Sequence, residues 1–562
     1  MFSMGIDLGT GKTAAAVTVF SELKYSTVMI PLSDNKSSTF VKSSVTFDMS
    51  DRIYTGNEAE KMLKKEPDGN ASNFKIKMGT DYLYETGGKF HMPVELSAIM
   101  LKLVKNRAEE FMNSKVKDAV IAVPAYFNQN QRNATYEAAS IAGIKVKNMI
   151  SEPTAVAISY WNSMKNRSAR NIMVFDMGSG TTDVSIVHAR DQSFTVLSTY
   201  GNTNLGGLNM DMEIEDALKS RLRNLGITSY PPDLKIIAEK IKIKLSRHES
   251  ASVILGKNKV KFSMDSQQLT QIVERMTHEI FKCIDMAINR SGITKTMLDT
   301  LIITGGPTKI PYLFNAIEKY MAMSAVKNIN SETSVATGAS IIAAGHITGE
   351  NGQSRIKIND IVPISLGCVI LNDLVVTMIP ANTPVPCSRT RPFTTIKDYQ
   401  KEIEVKVVQG ERPLGSDNVL MGNFRLTGIK PAPRGEASIN VTYSVDKNGI
   451  LKVSAIDNAT GSRKEIKIEN ALQHSSDEVK ELKETVKRYF NEDLKRKKMA
   501  EVMNNAEELL YKLKGIANKQ LTSETTHYNI NKDILKLSKA IQNNNIALLS
   551  QLEATYKKEY SI

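Results

Sequence analysis

The sequence predicts an α/β protein that continues into an antiparallel β unit and ends in helices. In its first part, runs of β-branched residues such as 171–175 and 301–304 alternate with helical patterns such as 93–112 and 267–291, and this alternation is typical of α/β folds. From about 361 to 470, short alternating segments are separated by turn signals, as in antiparallel sheets. The remainder is rich in Lys, Glu and Leu at helical spacing.

The composition is that of a globular protein. A length of 562 residues suggests about three or four structural units of roughly 150 residues. Hydrophobic residues make up 41% and charged residues 24%, far from disordered or collagen-like chains. The excess of 73 Lys and Arg over 60 Asp and Glu gives a net charge of +13 spread along the chain, so nucleic acid is weakly supported as a partner.

Two observations bear on the cellular compartment. No window contains the 18 or more consecutive apolar residues that a membrane span needs, and no basic segment followed by an apolar one begins the chain. The three cysteines, Cys283, Cys368 and Cys387, lack the pair spacing of a metal site. We therefore expect a cytoplasmic protein in a reducing environment, without membrane association.

An acidic residue two positions before a glycine occurs twice, at Asp7 and at Asp176, each time between two apolar strands. A Walker phosphate loop is excluded in the first copy, because Ile6 stands where that motif needs glycine. We interpret the two copies as an internal duplication. In each copy, glycines allow backbone N–H groups to cradle phosphate oxygens while the carboxylate holds hydrated Mg²⁺. A third glycine pair, Gly305-Gly306, follows an apolar strand and offers bare backbone to an adenosine.

Eight segments in order, spanning residues 1 to about 470, resemble the seventy-kilodalton heat-shock chaperone family (Hsp70). DnaK is its type, and the pattern is most similar to HscC-type members. The segments are Ile6-Asp-Leu-Gly-Thr10, Val123-Pro-Ala-Tyr-Phe127, Glu152-Pro-Thr154, Asp176-Met-Gly-Ser-Gly-Thr181, Leu205-Gly-Gly207, Gly305-Gly306, Val408-Gln-Gly-Glu411 and Pro431-Ala-Pro-Arg-Gly435.

This resemblance implies a multidomain chain. Its parts are an actin-like α/β ATPase domain of two duplicated lobes over 1–352 and an interdomain linker over 353–361. An antiparallel β-sandwich that binds peptides follows over 362–470, and an α-helical lid over 471–562.

The resemblance also implies roles in the ATPase domain. Asp7, Asp176 and Glu152 would arrange Mg²⁺ around ATP or ADP, mainly through water, and K⁺ is a further candidate ion. Lys75 aligns with the family's catalytic lysine, although Lys77 lies two residues on and remains an alternative. The implied catalytic residues are Lys75, Glu152, Asp176, Thr181 and Asp183. The implied nucleotide contacts are Asp7, Gly9, Thr10, Gly11, Lys12, Gly178, Ser179, Gly180, Gly206, Gly207, Glu239, Lys242, Ser246, Gly305, Gly306 and Lys309.

Two departures from the family pattern concern the nucleotide. Gly11-Lys12 replaces a Thr followed by Asn or Tyr, and we hypothesise that the added cation strengthens phosphate binding and slows product release. Lys309 stands where an arginine normally stacks on adenine. Because a lysine stem covers less of a ring than a planar guanidinium, we expect lower nucleotide affinity.

The peptide groove and the coupling residues are likewise implied by the resemblance. The groove residues are Cys368, Ile370, Leu371, Phe393, Thr394, Ile396, Ile403 and Val405. Ile370 and Ile396 are larger than usual, which predicts a narrower pocket. The residues that relay nucleotide state are Pro124, Arg132, Ile356, Ile358 and Asp360. Lys357 and Asn359 interrupt the apolar linker, which puts coupling in doubt.

The preferred function is an ATP-dependent, stress-related chaperone that binds extended apolar segments of unfolded clients. A J-domain co-chaperone and a nucleotide exchange factor are implied partners. One alternative is a nucleotide-binding scaffold or holdase with weak or lost coupling, which the altered phosphate loop and linker favour. Another is an actin-fold small-molecule kinase, which the continuation into the β unit opposes.

Overall fold

The computed structural model describes residues 1–21, 24–33, 37–62, 70–164, 167–256, 259–327, 329–345, 356–446, 449–468, 476–517 and 524–560. The chain divides into two compact units, Met1–Lys483 and Glu484–Ile562. None of the helices that these residues form is long and apolar enough to cross a membrane. The predicted end of the ATPase domain at 352 and the start of the predicted linker at 353–355 lie outside the described residues.

Strands and helices alternate up to residue 345, as the sequence predicts. The strands are β1 (Phe2–Leu8), β2 (Lys12–Ser21), β3 (Lys24–Met29), β4 (Phe40–Lys42), β5 (Ser44–Phe47), β6 (Ile53–Thr55), β7 (Asn70–Ser72), β8 (Tyr84–Thr86), β9 (Lys89–His91), β10 (Val116–Val123), β11 (Val146–Ser151), β12 (Arg170–Met177), β13 (Thr182–Arg190), β14 (Ser193–Asn202), β15 (Ser250–Leu255), β16 (Val260–Asp265) and β17 (Thr300–Thr304). The helices are α1 (Asn57–Met62), α2 (Pro93–Met112), α3 (Gln129–Ile141), α4 (Glu152–Ser163), α5 (Gly207–Arg223), α6 (Leu234–Leu245), α7 (Ser266–Ser291), α8 (Pro311–Met321) and α9 (Ser334–Gly345).

The remaining strands belong to the second half of the chain, and helices close it. The strands are β18 (Lys357–Asn359), β19 (Leu366–Val369), β20 (Val375–Ile379), β21 (Cys387–Phe393), β22 (Glu402–Gln409), β23 (Val419–Thr427), β24 (Ile439–Val445), β25 (Leu451–Asp457) and β26 (Arg463–Ile468). The helices are α10 (Ser476–Ala517), α11 (Glu524–Gln542) and α12 (Ile546–Tyr560).

Two sheets repeat one arrangement. The strand order is β11-β10-β1-β2-β3 in the first, where β4 also pairs with β2, and β17-β12-β13-β14-β18 in the second. In both, the first strand of a hairpin (β1 or β12) has a parallel neighbour on one side and its antiparallel hairpin partner on the other. The predicted duplication is therefore confirmed at the level of strand order. We refer to the bodies around these sheets as the first and second lobes.

Helix α9 belongs to the first lobe, because it packs against β1, β2 and α4. The close approach requires small residues. A Cβ on Gly338 of α9 would lie 1.8 Å from the carbonyl oxygen of Ala155 in α4. This packing fixes the turn before α9, which bears on the site below.

The segment 361–468 contains two four-stranded sheets with the orders β20-β19-β22-β23 and β21-β24-β25-β26. All their pairings are antiparallel, as the sequence predicts for this segment. Residues 447–448, between β24 and β25, lie outside the described part. One apolar core joins the sheets, and the Tyr443 hydroxyl donates a 2.9 Å hydrogen bond to the carbonyl of Gly367.

The predicted linker forms the short strand β18, which pairs in parallel with β14 and extends the second sheet. Ile356 is buried and Ile358 packs against the same apolar core, while Lys357 is exposed. Side chains alternate between the faces of a strand. The polar residues therefore take the positions between the isoleucines, and the strand pairs despite them.

Within the unit Glu484–Ile562, the described residues form helices, as predicted for the tail. Its core is built from leucines such as Leu509, Leu513 and Leu537. Tyr556 and Tyr560 both donate hydrogen bonds to Asp533, at 2.9 and 2.8 Å.

Candidate functional site

A cleft of about 1310 Å³, its open mouth included, brings together residues from both lobes. Every predicted nucleotide contact lines it except Gly180 and Gly206, and every predicted catalytic residue except Asp183. Pro124, predicted as a relay residue, also lines it.

The two predicted phosphate loops face each other across this cleft. A Cβ on Gly11 would lie 3.1 Å from the Ser179 hydroxyl, which is a tight contact, so the two loops approach each other closely here. The second loop is held by the start of α5, where the N–H of Gly207 donates to Gly178 and that of Leu208 donates to Ser179. Gly180 and Gly206 lie in these same turns but do not themselves line the cleft.

Lys75 supplies a buried ammonium group beside the loops. It lies in a short 3₁₀ turn, Phe74–Lys77, is 3% exposed, and forms a 2.7 Å ion pair with Glu152. Lys77 is exposed and lies over the ring of Tyr82, outside the cleft lining. Of the two predicted alternatives, only Lys75 therefore reaches the cleft.

Carboxyl groups outnumber cations at the cleft floor. Burial, followed by repulsion from Glu152, raises the pKa of Asp7 and of Asp183 from 3.8 to about 7. The same two causes raise the pKa of Asp176 well above its ordinary value. Lys75 opposes these shifts but cannot balance four carboxyl groups. This oxygen-rich, negatively charged cluster fits a hard divalent cation such as Mg²⁺.

The carboxyl groups do not form a direct metal cage. Among the described residues, no three acidic, histidine or cysteine side chains converge closely enough to ligate one ion. The arrangement therefore fits an ion held through its water shell, which is the usual state of Mg²⁺ beside phosphates.

Helix α6 of the second lobe contributes a further wall of the cleft. Glu239 and Lys242 face the cleft from this helix, and Ser246 caps its end. Lys242 is buried and donates to Asp211 at 2.7 Å and to the carbonyl of Gly207 at 2.9 Å, so its charge is already matched. Lys42 of the first lobe forms ion pairs with Glu239 at 2.9 Å and with Glu60 at 2.6 Å.

Gly305 follows β17 with φ +97°, and a Cβ there would lie 2.0 Å from the Met177 carbonyl. Both the left-handed backbone and the close approach require glycine. The glycine pair therefore exposes bare backbone at the cleft, as predicted.

Sequence reasoning missed Glu332 and Arg247, which also line the cleft. Glu332 lies in the turn before α9 and pairs with Lys12 at 3.2 Å and with Lys309 at 2.9 Å. Burial acts to raise the pKa of Glu332, but the two lysines together hold it below its ordinary value. No spacing rule joins residues 12, 309 and 332, so the sequence carried no signal for this cluster.

A chain of contacts leads from the cleft toward the β unit. Asp183 accepts a 3.1 Å hydrogen bond from the N–H of Tyr126, two residues after Pro124. Arg132 donates to the carbonyls of Ala125 and Phe127, both at 3.4 Å. Arg132 also lines a cavity of about 790 Å³ together with Ile358, Asp360 and Gln409.

The predicted groove residues fall into three groups by exposure. Cys368 and Val405 are buried in the core between the two sheets of the β unit. Phe393 and Ile403 are half-buried. Ile370, Leu371, Thr394 and Ile396 are exposed. The members of the set therefore differ in exposure, and their role in peptide binding stays a prediction.

Comparison with known proteins agrees with this architecture. The family model described as "Hsp70 protein" matches residues 83–561. The chain is 36% identical to the "Chaperone protein DnaK" of Thermoplasma acidophilum over 96% of its length and 90% of that protein. It is 36% identical to the DnaK of Thermoplasma volcanium, covering 99% and 92% of the two chains. It is 35% identical to that of Picrophilus torridus, again covering 99% and 92%.

The family model matches most of the chain, and the relatives are matched over nearly their full length. These matches assign the chain to a family. The similarity to HscC-type members in particular stays a prediction. The chain belongs to the Hsp70 family and is an ATP-dependent chaperone with ATPase activity.

Proposed function

We propose that the cleft between the lobes is the ATPase site of an actin-like domain and that the β unit is a β-sandwich that binds extended apolar peptides. The observation that carries the proposal is the meeting, in one cleft, of two facing glycine hairpins, Lys75 and a cluster of carboxyl groups. The helical unit would serve as the lid, and the predicted domain bounds of 1–352, 353–361, 362–470 and 471–562 belong to this proposal.

In this site, the backbone N–H groups of the two loops bind the phosphates of ATP or ADP. Lys75 is positioned to offset negative charge that develops on the γ-phosphate, and Thr181 orients the attacking water. Asp7, Asp176 and Glu152 would hold Mg²⁺, mainly through water, with K⁺ as a further candidate ion. Bound Mg²⁺ would neutralise phosphate charge.

Asp183 combines two tasks in this proposal. Its raised pKa suits a group that takes up or orients a proton near neutral pH. Its hydrogen bond from the Tyr126 N–H ties the same carboxyl to the segment that ends at Arg132. A change at the phosphates can therefore reach the 790 Å³ cavity beside the linker.

Glu239, Lys242, Ser246, Gly306 and Lys309 would surround the adenosine. Lys242 donates hydrogen bonds to Asp211 and to the carbonyl of Gly207, so these contacts hold its side chain in place beside the adenosine. Lys309 is paired with Glu332, which supports weaker stacking on adenine than an unpaired arginine would give.

Peptide release would follow nucleotide state through the contacts that the two lobes make with the linker strand and the β unit. These are the β14–β18 pairing, the Gln129–Gln409 hydrogen bond and a 2.9 Å bond from the Thr199 N–H to Asn382. Unfolded clients, a J-domain co-chaperone and an exchange factor are the proposed partners, in the cytoplasm.

The direct test is fluorescence anisotropy of a labelled apolar peptide bound to the full chain, followed through addition of Mg-ATP. Because ATP binding would open the groove and hydrolysis would close it, rapid release of the peptide is expected when Mg-ATP is added to the wild type, with the Lys75→Ala variant as the control. Peptide binding that ignores ATP would indicate an uncoupled holdase or scaffold. Phosphoryl transfer to a small molecule, without peptide binding, would indicate a kinase.

A further inference from the structure

The ammonium group of Lys75 has an aromatic neighbour as well as an acidic one. Its Nζ lies over the ring of Phe127, 5.4 Å from the ring centroid, and 2.7 Å from Glu152 Oε1. Lys75 is 3% exposed and Phe127 is 2% exposed, so water screens the contact between them little. A cation within about 6 Å of a ring centroid is attracted by the negative face of the ring, and the attraction is stronger when both groups are desolvated.

The ring of Phe127 is itself held in place by its surroundings. Phe127 lies between β10 and α3, and its N–H donates a 3.2 Å hydrogen bond to the carbonyl of Pro124. Its side chain packs with Val123 and Met149, and Tyr136 of α3 lies against the same apolar cluster. A ring that is fixed by its own packing offers the lysine a fixed partner.

The acidic and the aromatic neighbours act differently on the ammonium group. Glu152 accepts one of its N–H groups. Asp7 and Asp176 attract the same charge, which opposes the rise that burial causes in their pKa values. The ring of Phe127 carries no oxygen that would compete with a phosphate for the remaining N–H groups. Attraction to the ring therefore holds the ammonium group while leaving N–H groups for a phosphate oxygen.

We propose that Phe127 is a positioning residue for ATP hydrolysis, and that the face of its aromatic ring orients the ammonium group of Lys75. This inference rests on the ATPase site proposed above. Without the ring, carboxyl groups alone would hold the ammonium, and it would meet the γ-phosphate in the productive orientation less often. Nucleotide affinity should change little, because Lys75 acts on charge that develops during phosphoryl transfer.

The test must separate the electrostatics of the ring from its shape. Phe127 also lines the cavity beside the linker, so Phe127→Leu would alter the packing there as well as remove the ring face. Fluorinated phenylalanines keep the size of the ring nearly unchanged, while each fluorine weakens its negative face. Mono-, di- and trifluorinated phenylalanine are therefore placed at position 127 of the full chain, and single-turnover ATP hydrolysis is measured.

The rate of hydrolysis is expected to fall with each added fluorine, by about three- to tenfold over the series, while the affinity for ADP stays at the wild-type level. In the Lys75→Met background, the same series should leave the residual rate unchanged, because the cation that the ring attracts is gone. Phe47 is the matched control. Its ring is 1% exposed and stacks on His91, so fluorination at this position should not affect hydrolysis.

Several results would overturn the role of Phe127. A constant rate across the series, in a chain that loses hydrolysis in Lys75→Met, would overturn this role alone and leave the ATPase site standing. An equal fall at positions 127 and 47, or a fall that persists in Lys75→Met, would mean that fluorination disturbs the fold and not the contact with Lys75. Normal hydrolysis in Lys75→Met would overturn the proposed role of Lys75 as well.

Discussion

Gln409 of β22 accepts a 2.9 Å hydrogen bond from the backbone N–H of Gln129, the first residue of α3. The first N–H groups of a helix have no partner within the helix. Here a residue of the β unit supplies the missing acceptor, so the start of α3 is completed by another part of the chain.

Replacing Gln409 by Ala should weaken the docking of the β unit on α3 by about 1 kcal/mol, because the buried N–H of Gln129 loses its acceptor. The ratio of released to bound peptide at equilibrium with ATP should then fall roughly fivefold. Peptide anisotropy with saturating Mg-ATP measures the change. Gln409→Glu keeps an acceptor oxygen and should restore release, and failure of this rescue would show that the hydrogen bond is not responsible.

The linker strand gives a second prediction. Ile358→Ser places a hydroxyl against the apolar core beside β14 and should abolish or strongly reduce ATP-dependent peptide release. Lys357→Ser alters an exposed neighbour in the same strand and should leave release near the wild-type level. Equal losses in both variants would contradict the alternation that we infer for this strand.

Lys75→Met should lower the rate of ATP hydrolysis by about 100-fold or more, since it removes a preorganised charge at the reacting phosphate. Single-turnover hydrolysis measures this loss apart from nucleotide exchange. Lys77→Met is the matched control two residues away, and it should hydrolyse ATP normally. If both variants lost activity alike, the fold of the 3₁₀ turn, and not the Lys75 ammonium, would be the cause.

The raised pKa of Asp183 predicts how stability depends on pH in the absence of metal. Between about pH 4 and pH 7 the unfolded chain has lost this proton while the folded chain still holds it. The free energy of unfolding therefore falls as pH rises through this window and levels off above about pH 7. Asp183→Asn removes the share of the decline that comes from this residue, while Asp7 and Asp176 still contribute theirs, and it should stabilise the chain at pH 8 by about 1–3 kcal/mol.

Thermal unfolding in EDTA at pH 4 and pH 8 checks this expectation. The wild type and Asp183→Asn should differ little at pH 4 and most at pH 8. A variant that is destabilised equally at both pH values would show that the Tyr126 hydrogen bond outweighs the burial of charge.

Ile396→Ser should weaken binding of an apolar peptide by about three- to tenfold, because it removes an exposed apolar side chain from the predicted groove. Ile254→Ser changes a still more exposed isoleucine on the β15–β16 hairpin and serves as the control. Peptide titrations without nucleotide compare the two. Unchanged affinity in Ile396→Ser would remove this residue from the groove.

The phosphate loops were predictable because their signals are local. Asp7 and Asp176 each stand between apolar strands with glycines two positions on, and backbone geometry alone then brings the loops together. The choice between Lys75 and Lys77 could not be made, since both lie in one short turn and burial distinguishes them only in the fold. Glu332 gave no signal, because its two partners are 320 and 23 residues away in the chain.

The linker shows a different limit. Lys357 and Asn359 suggest a broken apolar run when the segment is taken as one continuous stretch. In a strand, side chains alternate between the two faces, so Lys357 and Asn359 lie on the face opposite to the isoleucines. Asn359 also donates a 2.9 Å hydrogen bond to Thr195. The effect of the two polar residues depends on whether the segment forms a strand, and a segment of five residues is too short for its sequence pattern to predict that.

The pairing of β18 with β14 also protects the second sheet. Without the linker, β14 would be an edge strand with unpaired N–H and C=O groups, which invites pairing with other extended chains. Each departure of the linker would uncover this edge in a protein that we propose to handle extended, unfolded polypeptides. The linker strand would therefore shield the chaperone from capturing a client, or another copy of itself, at the wrong sheet.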